Sequence, residues 1–159
     1  MSDDLTHAVR LRKEGRAEEA RAILLELVTE RPDDPQVHYQ CAWVHDSLGR
    51  EREAVPFYEC AIADGLTGRD LEGAFVGLGS TYRSLGEFRK AIETLRQGVA
   101  WFPETRAMEV FLAMALYNVG EHHEATELLL QTLAETSADE KISAYKEAIL
   151  FCAGRLDET

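Results

Sequence analysis

The chain has 159 residues, of which 45% are hydrophobic and 29% are charged, an ordinary balance for one compact domain and not for a disordered chain. It carries 17 basic and 29 acidic residues, a formal net charge of -12, and such a surface repels the phosphates of nucleic acids and anionic lipid headgroups. We therefore expect neither nucleic acid nor a membrane as a partner.

Glycine recurs along the chain with a period close to 34 residues. The spacings are 34, 37, 34 and 34 residues between the glycines at Gly15, Gly49, Gly86, Gly120 and Gly154. Alanine follows each of the first four glycines at an offset of five residues, at Ala20, Ala54, Ala91 and Ala125. A period of this length indicates a repeated structural element that stacks on its neighbours to bury its apolar face.

Each repeat predicts a helical hairpin. Before the glycine, apolar residues recur at steps of three and four, as at Phe75, Leu78 and Tyr82, which places them on one helix face. Glycine ends that helix because it adopts a left-handed conformation without steric cost. A second helix follows, and its small alanine lets the two helices approach closely. In chain order, we predict hairpins at residues 1–34, 35–68, 72–105 and 106–137.

The expected helix ends agree with these repeats. Asp34 can cap the helix that begins at Pro35, since proline is tolerated in the first turn. After Ser137, the segment DEKISAYKEAILFCAG predicts one amphipathic capping helix over about residues 138–154. The capping helix protects the end of the stack. The apolar residues expected to cover the fourth hairpin are Ile142, Tyr145, Ile149 and Leu150.

The third repeat carries a recognisable family pattern. The segment FVGLGSTYRSLGEFRKAIETLRQGVAWFP resembles a tetratricopeptide repeat. The residues that match are Phe75, Leu78, Gly79, Tyr82, Ala91 and Pro103, with Leu95 in place of a later aromatic residue. The other repeats keep smaller parts of the pattern, so the resemblance extends over nearly the whole chain. It implies a single all-α domain over residues 1–159, a right-handed superhelix of about four hairpins with a C-terminal capping helix.

The resemblance also implies where a ligand binds. In similar proteins, the first helix of each hairpin lines a concave groove that holds the ligand. Matching the repeats residue by residue places these side chains on that groove: Tyr39, Trp43, Val76, Arg83, Val110, Phe111, Met114 and Tyr117. Aromatic residues, Met and Arg are enriched where proteins bind partners. We therefore predict that the chain binds another protein or a peptide.

Two alternatives to groove binding stay open. A short stack can curl, so that these side chains pack on one another or under the C-terminal helix. The groove or an end face can also form a homodimer. Family members that clamp chaperone tails place Lys and Asn at matching first-helix positions, which here hold Leu5, Val9, Gln40, Gly73 and Gly77. That clamp is therefore not expected.

The sequence contains little that indicates catalysis, a cofactor or a metal site. No Gly-rich phosphate loop, nucleophile elbow or paired metal-ligand motif occurs in the sequence. His38, Cys41 and His45 share one helix face and are residue types that bind zinc. However, they occupy the positions that pack against the partner helix in the other repeats, and they spread over about 10 Å of one helix. We predict packing at these positions, and a chain that is not an enzyme and holds no cofactor or metal.

The expected compartment follows from the N-terminus and the cysteines. The first residues, MSDDLTHAVR, contain no apolar stretch behind a basic start, which predicts no secretory signal. The apolar runs are too short to cross a bilayer. The cysteines, Cys41, Cys60 and Cys152, are odd in number and widely spaced, which argues against a disulfide framework. These features predict a cytoplasmic protein.

Overall fold

A computed structural model describes residues 3–158, and over that range the chain forms helices and no strands. The helices are α1 (Asp3–Lys13), α2 (Ala17–Glu30), α3 (Pro35–Ser47), α4 (Glu51–Ala63), α5 (Gly68–Ser84), α6 (Phe88–Trp101), α7 (Arg106–Asn118), α8 (His122–Thr136), α9 (Glu140–Ala144) and α10 (Lys146–Ala153). They fall into two compact parts, of which the first ends at Gly86 and the second begins at Glu87. The described residues include no helix with both the length and the apolarity needed to span a bilayer.

The first compact part contains two complete hairpins and α5. Helix α1 packs on α2, α3 packs on α4, and further contacts join α2 to α3 and α4 to α5. One cluster of its core comes from the first three helices: Leu5, Ala8, Leu11, Ala20, Leu24, Leu27, Val37, Cys41 and Val44. Ala20 and Ala54, predicted at the hairpin crossings, are fully buried. Helix α3 begins at Pro35 as predicted, and Asp34 caps it by accepting the backbone N–H groups of two residues of its first turn.

The hairpin turns form at the predicted glycines. Gly15 and Gly49 have φ of +80° and +69°, and the residue after each donates its N–H to the carbonyl five positions earlier. This left-handed closure is the reason for glycine at those positions. Gly154 differs, with φ of -82°. No further helix follows it among the described residues, and the N–H of Arg155 bonds to the carbonyl of Cys152 in a simple turn.

The second compact part is built from α6 to α10. Helix α7 packs on α6 and on α8, and α10 packs on α8. The predicted single capping helix is two helices, so the described residues form ten helices where the sequence predicted nine. At Tyr145 the backbone N–H bonds to the carbonyl of Ile142, three residues back, which interrupts the regular helix. Ile149 and Leu150 are half-buried, but Tyr145 is 68% exposed and does not cover the hairpin as predicted.

Candidate functional site

A cleft of about 700 Å³ opens in the first compact part. Its walls come from α1, α3, the start of α5 and the connection between α2 and α3. These are the first helices of three successive repeats, which is where the sequence predicted a ligand groove. The side chains that matter for its chemistry are Arg12, Lys13, Gln40, Trp43 and Asp70.

Trp43 gives the cleft an aromatic surface. Its neighbours Ala42 and Val44 are fully buried, and the turn of the helix leaves the indole 41% exposed. The guanidinium carbon of Arg12 lies 3.6 Å from the centre of the indole ring. This cation–π contact joins α1 to α3 and places a flat aromatic face and a positive charge side by side in the cleft.

Arg12 is stabilised by an aromatic ring and not by a carboxylate. Burial lowers the pKa of its guanidinium from the ordinary value, with Tyr39 and Tyr58 opposing that effect, and the group stays protonated. Its Nε is buried without a hydrogen-bond acceptor among residues 3–158. Over the same range, the ion pairs of the protein leave Arg12 without a carboxylate partner. A buried donor in this state is costly unless a ligand supplies an acceptor.

Gln40 contributes a buried hydrogen-bond acceptor that lacks a donor among the described residues. Its side chain is 7% exposed, and its Oε1 is a buried acceptor that receives no hydrogen bond from the described residues. The nearby carboxylate of Asp34 is already engaged, because it caps α3 and lies 3.7 Å from Arg31. Among the described residues, the cleft lining therefore includes an unsatisfied acceptor on Gln40 and an unsatisfied donor on Arg12. Sequence reasoning did not single out Gln40 as a binding residue, since burial of its side chain depends on tertiary packing.

The structure corrects the expectation for Tyr39. It lies 5.7 Å from Trp43 between ring centres, so the two predicted aromatic residues are in contact. However, Tyr39 is only 5% exposed, and it offers a ligand almost no surface. Its hydroxyl packs against the backbone of α5 at Gly73, where a β-carbon would collide with it. Burial raises the pKa of Tyr39 to about 12. Tyr39 supports the cleft wall and is not an exposed anchor.

The other predicted groove residues lie on α5 and α7. In the first compact part, Val76 and Arg83 are half-buried on α5. In the second, α7 carries half-buried Val110, Phe111 and Met114. Tyr117, also on α7, is 64% exposed, and its ring centre lies 4.7 Å from that of His122. Whether these side chains contact a ligand stays a prediction.

The three candidate zinc ligands are buried, and the rings of His38 and His45 pack as predicted against the partner helix α4, 6.3 and 5.1 Å from the ring of Phe57. His38, Cys41 and His45 are 5%, 0% and 1% exposed. His45 Nδ1 lies 2.7 Å from the carbonyl oxygen of Cys41, and its Nε2 lies 3.2 Å from Nε of Arg21. These contacts assign the neutral tautomer, in which Nδ1 donates and Nε2 accepts. Burial raises the pKa of the Cys41 thiol to about 12, which keeps it protonated. Within residues 3–158, no three His, Cys, Asp or Glu side chains are grouped to hold a metal ion.

Comparison with known proteins identifies the family of this chain. A family model described as tetratricopeptide repeat matches residues 35–150. The chain belongs to the tetratricopeptide repeat family. The predicted family and the predicted all-α repeat fold are thus confirmed. This fold supports a protein-interaction scaffold in general, without naming a ligand.

Individual relatives of this tetratricopeptide repeat chain are distant. Aspartyl/asparaginyl beta-hydroxylase from Mus musculus is 27% identical over 164 residues, which cover 98% of this chain and 22% of that protein. The chain therefore spans less than a quarter of the length of this relative. A structure of MamA from Desulfovibrio magneticus RS-1, from residue 41 to the end, has a TM-score of 0.76 at 17% identity, with 100% of this chain and 99% of that chain covered.

A second solved structure is described as a peptide binder. YrrB, "a TPR protein with an unusual peptide-binding site", has a TM-score of 0.68 at 17% identity, and the match covers 98% of this chain and 86% of YrrB. At these identities, the likeness to MamA and YrrB shows a shared fold.

Proposed function

We propose that this chain is a non-catalytic interaction scaffold that binds a segment of another protein in the cleft of its first compact part. The observation that carries the proposal is the exposed indole of Trp43, stacked with Arg12 at the wall of a cleft of about 700 Å³. Trp and Arg are the residues that most often dominate the affinity of protein interfaces. The peptide-binding site named for YrrB gives further support.

The proposal extends to the compartment and to the classes of partner. Cys41, Cys60 and Cys152 are free thiols, which supports a reducing compartment, and we propose the cytoplasm. The net charge of -12 supports a protein partner over nucleic acid or a membrane. The activity named for the hydroxylase relative is not extended to this chain, because the chain spans 22% of that protein.

The test compares two tryptophan variants. Trp43→Ala should keep the helical circular dichroism spectrum of the wild type, because the buried side of α3 is retained. It should weaken binding to a partner recovered by pull-down by about 2 kcal/mol or more, the usual scale for an aromatic hot spot. Trp101→Ala is the matched control, since Trp101 is 62% exposed on α6 and does not line the cleft.

Two outcomes of this comparison oppose the proposal. If Trp43→Ala keeps full affinity, or if Trp101→Ala loses as much, the binding surface lies elsewhere. If Trp43→Ala unfolds while Trp101→Ala does not, the indole is a structural part of the core and the cleft is not a ligand site.

A second candidate function is self-association through the second compact part. Helices α8 and α10 expose large apolar side chains, with Leu129 and Leu133 each 43% exposed and Phe151 64% exposed. Light scattering distinguishes this role from the first. A dimer that Leu133→Asp converts to a monomer supports self-association, whereas a wild-type monomer at high concentration opposes it.

A further inference from the structure

The unsatisfied groups of the cleft define the chemistry of its ligand, and this inference rests on the proposed function. Arg12 carries a buried Nε without an acceptor, and it forms no ion pair within residues 3–158. Lys13, the next residue of α1, also lines the cleft and likewise lacks a carboxylate partner in the described part of the chain. Gln40 adds a buried acceptor that receives no hydrogen bond. Among the described residues, the wall thus presents two cations without carboxylate partners, Arg12 and Lys13, and one buried acceptor without a donor, on Gln40.

We propose that the cleft binds an acidic segment of a partner protein, with neighbouring Asp or Glu side chains against Arg12 and Lys13 and a backbone N–H donated to Oε1 of Gln40. A carboxylate supplies the acceptor that the guanidinium lacks, and charge-assisted hydrogen bonds of this kind are stronger than neutral ones. An extended segment presents the carboxylate and the N–H together. The apolar face of Trp43 covers the aliphatic part of the same segment.

An internal acidic stretch fits better than a chain terminus. Two cations without carboxylate partners can each engage one of two neighbouring acidic side chains, whereas the terminal carboxylate of a chain is a single group. The two carboxylates already in the wall do not replace them. Asp34 is held by the α3 cap and Arg31. Asp70 also lines the cleft, but within residues 3–158 it forms no ion pair with Arg12 or Lys13. The overall charge of -12 opposes the approach of an acidic segment, but charges beyond about 8 Å are screened at physiological ionic strength, so Arg12 and Lys13 dominate once the segment is in contact.

The experiment uses the full chain with the substitution Trp101→Phe. Because the sequence contains two tryptophans, Trp43 is then the source of the tryptophan fluorescence. The probes are synthetic peptides with blocked ends that share Leu and Phe positions and carry Glu, Gln or Lys between them. A fourth probe is the Gln peptide with a free C-terminal carboxylate. We expect the Glu peptide to change Trp43 fluorescence and to bind about tenfold or more tightly than the Gln peptide, and its affinity to fall with added salt.

Variants of the protein then identify which of its side chains bind the carboxylates of the peptide. Arg12→Gln should reduce affinity for the Glu peptide by about tenfold and lower its salt dependence, and Lys13→Gln should do so by a smaller factor. Gln40→Glu should weaken the Glu peptide and favour the Lys peptide. Arg10→Gln is the matched control, since it removes the same charge from α1 outside the cleft and should leave affinity unchanged.

Each contrary outcome has a defined meaning. No binding of the Glu peptide at millimolar concentration overturns the acidic-segment proposal, as does equal loss in Arg12→Gln and Arg10→Gln. Equal binding of the Glu and Gln peptides also overturns it, but leaves peptide binding at Trp43 standing. If the Gln peptide with a free C-terminal carboxylate binds as tightly as the Glu peptide, the cleft recognises a chain end and not an internal stretch.

Discussion

The hydroxyl of Tyr58 on α4 lies 2.9 Å from Oδ2 of Asp46 on α3 and donates a hydrogen bond to it. The hydroxyl of Thr81 on α5 lies 2.9 and 2.8 Å from the two oxygens of the same carboxylate. Asp46 therefore connects three successive helices of the first compact part. Burial raises the pKa of Asp46, although the hydrogen bonds from Thr81 and Tyr58 oppose that effect.

The first prediction separates the acceptor from the charge of Asp46. Asp46→Ala leaves the hydroxyl of Tyr58, a side chain only 3% exposed, without its acceptor and should cost about 1–3 kcal/mol of unfolding free energy. Asp46→Asn keeps an acceptor oxygen and removes a buried charge, so it should cost less. Chemical denaturation at neutral pH measures both variants. Equal losses would show that the charge matters and the acceptor does not.

The same carboxylate predicts a dependence on pH. Because the pKa of Asp46 is raised above its ordinary value of 3.8, the folded state binds this proton more tightly than the unfolded state does. The contribution of Asp46 to stability is therefore present below that ordinary value and is lost as the pH rises through the raised pKa. The stability of the wild type relative to Asp46→Asn should fall over this range. A difference that stays constant with pH would contradict the assignment.

Gly73 and Gly77 of α5 each contact a tyrosine, and the structure predicts that a Tyr→Phe change rescues a Gly→Ala change at one of them and not at the other. A β-carbon at Gly73 would collide with the hydroxyl oxygen of Tyr39, while the nearest ring carbon is 3.2 Å away. A β-carbon at Gly77 would collide with the ring of Tyr58 itself, 2.5 Å from Cζ and 2.8 Å from Cε1. Each Gly→Ala change should cost about 1–3 kcal/mol through overpacking, less the helix propensity that alanine gains.

Removal of the hydroxyl should rescue only one of these changes. Tyr39→Phe removes the atom that collides with a side chain at position 73, so it should restore stability to Gly73→Ala. Tyr58→Phe leaves the colliding ring carbons in place and should not restore Gly77→Ala. Thermal unfolding of the single and double variants gives the two coupling energies. Rescue in both pairs, or in neither, would show that α5 shifts to relieve the contact.

The fourth prediction concerns Ala91, which the repeat alignment places at a helix crossing and which lies in the second compact part. Ala91 on α6 is fully buried, so Ala91→Leu should overpack its surroundings and cost about 1–3 kcal/mol. Ala100→Leu adds the same atoms to an exposed position of the same helix and should be close to neutral. Urea denaturation of both variants measures the difference. A neutral Ala91→Leu would place the repeat alignment out of register.

The last prediction concerns the C-terminal helices. Truncation after Ser137 removes α9 and α10, and with them the contacts of α10 on α8. We expect a lower melting temperature and aggregation, because the end of a repeat stack needs a polar outer surface. Truncation after Gly154 keeps both helices and is the control. If both truncated proteins melt like the full chain, α10 adds nothing to the fold.

Local signals in the sequence predicted most of the fold. The glycine period marked the hairpin turns because a left-handed residue is required where each first helix ends, at Gly15 and Gly49 among others. The cap at Asp34 followed from the same kind of local chemistry. The interruption at Tyr145 could not be predicted, because the apolar spacing continues through it while the backbone N–H of Tyr145 bonds to the carbonyl of Ile142, three residues back.

The sequence predicted part of the geometry of the candidate cleft. Repeat alignment placed Trp43 on the predicted groove side of α3, and its indole is exposed. The same alignment treated Tyr39 as equivalent, yet Tyr39 is buried because Gly73, 34 residues later, lets α5 approach its hydroxyl. The unsatisfied acceptor of Gln40 also depends on neighbours distant in sequence. Contacts between residues so far apart in the sequence leave no periodic pattern that a single sequence would reveal.

The cysteines offer a practical way to observe the molecule in solution. Cys41 is fully buried, and its raised pKa keeps the thiol protonated and unreactive. Cys60 on α4 and Cys152 on α10 are exposed, and one belongs to each compact part. A maleimide spin label or dye pair should therefore attach at these two native positions without any engineered cysteine. Distance distributions from such labels would report directly on the arrangement of the two parts, with and without a bound peptide.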